Sequence, residues 1–211
     1  MTNLQNFEDG KHFDFHIHAI GDRAVHEVLN AIENTKDDRT RHRMTHLEVV
    51  HNDDINRFSD LGVVADFQVG HHSLPDYRSD IEEVIGVDRS EHFIPVKQVY
   101  NTDAVVTLSS DWDVNELNPF EGIKRAVDRD DQSISLKAAI EMYTMNGAFA
   151  MRQEDVVGSL EAGKEADFVV IDKDIMNIDT NLINKIKVKM TVLRGKIIYT
   201  HKSRYPKKAQ S

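Results

Sequence analysis

Phe13-Asp14-Phe15-His16-Ile17-His18-Ala19-Ile20-Gly21-Asp22 is the stretch on which the reading of this chain turns. From Lys11 to His18 apolar and polar side chains alternate, as in a strand with two unlike faces, and Gly21-Asp22 then breaks the pattern as a tight turn does. Beyond the break Val25, Val28, Leu29 and Ile32 recur at helical spacing, with Asp22 near the N-cap, and define one apolar helical face. A strand running directly into an amphipathic helix is the phrase of a parallel α/β arrangement.

The phrase repeats. Arg43 to Val50 reads as a strand, and Ile55, Phe58 and Leu61 mark a short helix ending at Gly62. A third strand, Val63 to Val69, follows at once. After a loop holding His71, His72, Pro75 and Asp76, helical sequence begins near Ser79 and again around Pro95 to Tyr100, ahead of a fourth strand, Ala104 to Ser109. Pro119 to Ala150 is rich in helical pattern. Four strands, each followed by helical sequence, predict a parallel sheet with right-handed crossovers, equivalent to half of an eightfold barrel. A complete (β/α) barrel takes about 250 residues. The four units and tail of this 211-residue chain leave no room for four more. A self-contained open sheet of four strands meets the same pattern.

The character of the chain changes near Gly158. Ala166 to Asp172 is a strong β run, and Val188 to Leu193 with Lys196 to Thr200 reads as a hairpin around Arg194-Gly195. The expected division is therefore a barrel-like part over residues 1–155 and a β segment over 156–205.

Composition narrows the chemistry. There is no cysteine, which excludes disulfides and thiolate metal sites, so any metal must be held by His, Asp, Glu or a modified Lys, and the chain has 11 His. With 26 Lys plus Arg against 36 Asp plus Glu, the formal charge of −10 disfavours nucleic acid as a partner. No apolar run approaches the roughly 18 residues that span a bilayer, and the first residues lack the pattern of a signal peptide, so a cytoplasmic protein with no membrane partner is expected.

In parallel α/β proteins the working side chains sit where strands end. Strand one ends at His16-Ile17-His18, strand two contains His46, strand three leads to Gln68 and His71, and strand four ends at Asp111. Two imidazoles and a carboxylate at one rim can bind a divalent metal and leave positions open for water. Such an ion lowers the pKa of its water to roughly 7, and a nearby carboxylate, here Asp111, can carry the proton to a leaving group. A lone strand His or strand-end Asp is more often structural, and only their recurrence on successive strand ends raises the reading. His16 and His18 share a face, so either both bind metal or His18 alone reaches the rim with His16 one layer below; the second arrangement is expected.

His18-Ala19-Ile20-Gly21-Asp22-Arg23-Ala24 and the helix after it closely resemble the fifth-strand motif of YtcJ-like metal-dependent amidohydrolases, or amidohydrolase family 3. The resemblance continues through Arg41-x-Arg43-x-x-His46 for the sixth strand, Gln68 with His71 for the seventh and Ser110-Asp111-Trp112 for the eighth. Tyr143 to Asn146 and Gly158 to Asp167 are similar to the segments that leave the barrel and enter a β-sandwich. The resemblance implies a partial (β/α) barrel, equivalent to strands five to eight, with the C-terminal part of a β-sandwich. It implies hydrolysis of a non-peptide carbon–nitrogen bond with a divalent metal, zinc foremost, held by His18, His46 and Asp111. In that scheme Asp111 is the general acid/base, and Gln68 and His71 contact a small amide-type substrate. The sequence departs from the family at Thr45, where Glu usually precedes the histidine, and at Val69, where Pro commonly follows Gln; both bear on substrate binding more than on metal binding. The family's first-strand His-x-His and fourth-strand bridging residue have no counterpart here. A lone chain is accordingly expected to bind metal weakly, to be inactive, and to pair as a homodimer or with a complementary N-terminal half. The rival reading is a non-catalytic interaction protein whose histidines are structural.

Overall fold

The computed structural model describes residues 13–35, 37, 39–70, 78–91 and 93–201. Strands β1 (His16–Ala19), β2 (Arg43–His46), β3 (Val64–Gln68) and β4 (Val106–Ser109) form one sheet in the order β1-β2-β3-β4, every pair parallel. Helix α1 (Asp22–Asn34) links the first pair, and the one-turn helices α2 (Asn52–Ile55) and α3 (Arg57–Asp60) link the second. Helices α4 (Arg78–Ile85), α5 (Val87–Ser90) and α6 (Val96–Tyr100) precede β4, and α7 (Pro119–Val127), α8 (Leu136–Tyr143) and α9 (Met145–Ala150) follow it. The expected α/β architecture with a parallel sheet is present.

Alternation along each strand gives the sheet two unlike faces. The register aligns Met44 with Ala65 and Phe67 with Leu108; this apolar face is buried and packs with Val25, Leu29 and Ile32, the stripe whose spacing marked α1. Asp22, expected near the N-cap, is the first residue inside that helix. Gly21 holds the cap position, while the Asp22 carboxylate accepts from Arg23 N at 2.8 Å and from Arg89 Nε at 2.9 Å. The opposite face carries His16, His18, Arg43, Thr45, Asp66 and Gln68 from the first three strands. The face is largely polar, because the strands place charged, amide and hydroxyl residues two apart, with the buried Val64 of β3 as its apolar exception.

The two outer strands differ as well. On β4 the Val106 carbonyl, which points away from β3, accepts from Asn146 Nδ2 at 2.8 Å, so α9 covers part of that edge. On β1, Phe15 O and Ala19 O are taken by β2 and the turn after it, and the backbone groups of His16 and His18 face the other way.

A second sheet, β5 (Phe168–Ile171), β6 (Val188–Leu193) and β7 (Lys196–Thr200), is antiparallel in that order. The expected hairpin is present, and its two turn residues, Arg194 (φ 50°) and Gly195 (φ 72°), both lie in the left-handed region that a tight hairpin needs. Between β5 and β6 a 3-10 turn, Thr180–Lys185, returns to α7: Ile183 is fully buried in the same core as Phe120 and Ile123, and Asn184 reaches Glu121 at 3.3 Å. Among the described residues no helix is long and apolar enough to cross a membrane.

Candidate metal centre

His18 and Thr45 are register partners, and strict alternation would send His46, the next residue, to the apolar face beside Met44. It does not go there. The chain turns left-handed at His46 (φ 77°) and Leu47 (φ 54°), and Leu47 N bonds to Ala19 O at 3.0 Å. The expected strand to Val50 therefore stops at His46, whose imidazole swings back to the polar face with Nε2 2.9 Å from His18 Nδ1. Left-handed backbone at non-glycine residues is uncommon and tends to occur where function requires it. One of the two rings must donate its proton to the other. Ligand nitrogens around a tetrahedral zinc stand about 3.3 Å apart, given Zn–N distances of about 2.0–2.1 Å. A displacement of a few tenths of an ångström and the loss of the shared proton would turn this hydrogen bond into half of a metal site.

His16 lies one row nearer the strand's start, opposite Arg43, as expected of the residue below the rim. Its Nδ1 is 2.6 Å from Arg43 Nη2, which can only donate, so this nitrogen is committed as an acceptor. Burial and then the Arg43 charge push the His16 pKa down. Glu48, two residues past His46, is half-buried, and burial raises its carboxyl pKa against the pull of His46.

Asp111 stands two residues beyond β4, exposed and also left-handed (φ 51°), with its carbonyl closing a turn to Val114 N at 2.7 Å. The structure brings His18 and His46 together and does not add Asp111: among the described residues no three His, Cys, Asp or Glu side chains converge closely enough to hold a metal ion. His18 and His46 fit a divalent metal in ligand chemistry, as two imidazoles of a set still open for more. His71 lies outside the described residues. Gln68 closes β3, 4% exposed, and its Nε2 is 3.0 Å from Thr45 Oγ1 and 2.7 Å from Ser109 Oγ. Sequence reasoning passed over Asp66, the buried carboxylate beneath it. The signal was there: a charged residue between Ala65 and Phe67, in a strand buried at every position.

Residues 3–199 match the amidohydrolase family. The chain is 30% identical over 196 residues to YtcJ of Bacillus subtilis (strain 168), an amidohydrolase by its name, a match covering 87% of this chain and 37% of that protein. It is 27% identical over 197 residues to the N-substituted formamide deformylase of Arthrobacter pascens, covering 87% and 36%. Among solved structures, an uncharacterized metal-dependent hydrolase from Pyrococcus horikoshii OT3 superposes with a TM-score of 0.71 at 27% identity, covering 80% of this chain and 36% of that one. The chain thus spans about a third of the length of the relatives it matches. With a match that runs nearly from end to end and the strand-end histidines in place, this chain belongs to the amidohydrolase family.

Proposed function

We propose that this chain supplies the His18, His46 and Asp111 part of the centre of a metal-dependent hydrolase of non-peptide carbon–nitrogen bonds. In this reading the parallel sheet is the equivalent of strands five to eight of a (β/α) barrel, and β5 to β7 belong to a β-sandwich. The remaining ligands come from further polypeptide, whether joined to this chain or separate, pairing at the β1 edge. The observation that carries the reading is the 2.9 Å contact between His18 and His46, produced by a left-handed turn that nothing in the strand pattern requires. Zinc suits the pair, since imidazole nitrogens are among its preferred ligands.

When bound, a divalent ion supplies Lewis-acid polarisation and lowers the pKa of a water to about 7. His18 and His46 would hold it through the facing ring nitrogens Nδ1 and Nε2, freed of their shared proton. Asp111, exposed two residues beyond β4, would hold a proton on its carboxylate and deliver it to the departing nitrogen. Gln68 and His71 contact the amide.

The test is a zinc titration together with an assay on N-substituted amides, for the chain alone and with a polypeptide that supplies the missing strands. The chain alone should bind about one zinc weakly and turn over nothing measurable, with hydrolysis appearing on complementation and vanishing in Asp111→Asn. Turnover by the chain alone that survives both His18→Ala and His46→Ala would refute the proposal.

A further inference from the structure

Asp66 is 3% exposed at the centre of the sheet's polar face. Its Oδ2 accepts from Thr45 Oγ1 at 2.8 Å, Ser109 Oγ at 2.9 Å and Gln68 Nε2 at 3.1 Å, and its Oδ1 accepts from Thr107 Oγ1 at 2.6 Å. A buried carboxylate is costly unless its oxygens are satisfied. Here neutral donors do the satisfying, with no Lys or Arg bound to it among the described residues. That three strands converge on one charge suggests the charge is there for a reason.

The protons fix the orientation of Gln68. The Thr45 and Ser109 hydroxyls each have one proton, and both are committed to Asp66, so each turns a lone pair toward the Gln68 amide. Only the Nε2 end of that amide can face them and Asp66 Oδ2, because the flipped amide would set Oε1 against three oxygens with no proton between them. Oε1 is thereby forced to the other side, where it is buried with no hydrogen-bond partner among the described residues. An unpaired buried amide oxygen is destabilising, and such exceptions call for an explanation. Gln68 is the last residue of β3, at the end of the parallel sheet where His46 closes β2. Gly70, two residues on, packs so closely on Asn115 that a Cβ there would lie 2.2 Å from its Oδ1, which brings the loops after β3 and β4 together above Gln68.

We propose that Asp66 is a positioning residue that holds Gln68 with Oε1 as an acceptor for a substrate N–H, so that the site takes primary and secondary amides in preference to N,N-disubstituted amides and esters. This rests on the amide-hydrolase reading above and on Gln68 as a substrate contact. A tertiary amide or an ester brings no proton to Oε1 and leaves the oxygen unpaired inside the complex.

The experiment is NMR of the full chain with labelled glutamine side chains, titrated with acetamide, N-methylacetamide, N,N-dimethylacetamide and methyl acetate. The first two should shift the Gln68 side-chain resonance, with the dimethyl amide and the ester at least about tenfold weaker. Asp66→Asn should abolish that preference by freeing the amide to flip, whereas Thr107→Val, which touches only Oδ1, should keep it. If Asp66→Asn fails to fold, Thr45→Val and Ser109→Ala each remove one lone pair facing Nε2 and should each reduce the preference. Equal response to all four probes, no Gln68 shift with any of them, or a preference that persists in Asp66→Asn or in both single-hydroxyl variants overturns the proposal. Zinc binding at His18 and His46 is measured without these probes, so a failure here with zinc still bound there leaves the hydrolase reading standing.

Discussion

In the parallel sheet Met44, Ala65, Phe67 and Val106 have no exposed surface, whereas in the antiparallel sheet Val169, Val170, Ile197, Ile198 and Tyr199 are each at least 40% exposed. The two sheets are therefore held by different forces. The first is stabilised by burial of one face against helices, and that rigid backing lets its other face carry histidines and a buried carboxylate. The second rests on strand pairing, on the Arg194-Gly195 turn and on the bond from Arg194 N to Asp167 Oδ1 at 2.6 Å. Its links to the core are the fully buried Ile183 of the 3-10 turn and the partly buried Ile171 and Val188 at the ends of β5 and β6.

The sharpest way to break this contrast is a pair of truncations. Phe67→Ala should cost roughly 3–5 kcal/mol in urea unfolding, the usual penalty for a fully buried aromatic, whereas Ile198→Ala should stay within about 0.5 kcal/mol. Comparable losses would mean that the second sheet has a buried core of its own. Ile183→Ala should fall nearer the first value, at roughly 2–4 kcal/mol, and should loosen β5 to β7 in hydrogen exchange more than it loosens β3. Uniform loosening would show that the 3-10 turn is not the anchor. Gly195→Ala should cost about 1 kcal/mol, because alanine resists the left-handed conformation there, and the loss should be confined to the hairpin.

The extent to which the sequence revealed all this follows the same divide. The apolar stripe of α1 and the hairpin at Arg194-Gly195 depend on neighbours in the chain, and both were legible. So was the placing of His18 on β1, whereas the end of β2 was not: it was expected at Val50 and falls at His46. The approach of His46 to His18 was legible only as convergence at a rim: its cause, a left-handed turn held by Leu47 on Ala19, depends on a strand 28 residues away. Asp66 stood out only as a charge in an apolar run. Its partners come from β2 and β4, which periodicity along β3 cannot show.

Acid should separate the sheets least. The Arg152 guanidinium holds the Asp14 carboxyl below its usual range, and Arg89 does the same for Asp22. A depressed folded-state pKa contributes stability above the unfolded value of about 3.9, and that stability is lost as pH falls through the lower folded value. Because both pairs are partly exposed, each is worth less than about 1 kcal/mol. Arg152→Ala should remove the Asp14 share at pH 7 and flatten the stability loss as pH falls below about 4. An unchanged acid profile would mean that the pair contributes nothing.

The central claim, that His18 and His46 are two ligands of a metal centre, is tested most directly by zinc X-ray absorption on the full chain, read with histidine NMR. Two imidazole nitrogens are expected at about 2.0–2.1 Å, with the His18 and His46 ring resonances shifting together, and loss of this site in either His18→Ala or His46→Ala. Zinc bound with both of those rings unperturbed, or bound equally well in the two variants, would contradict it.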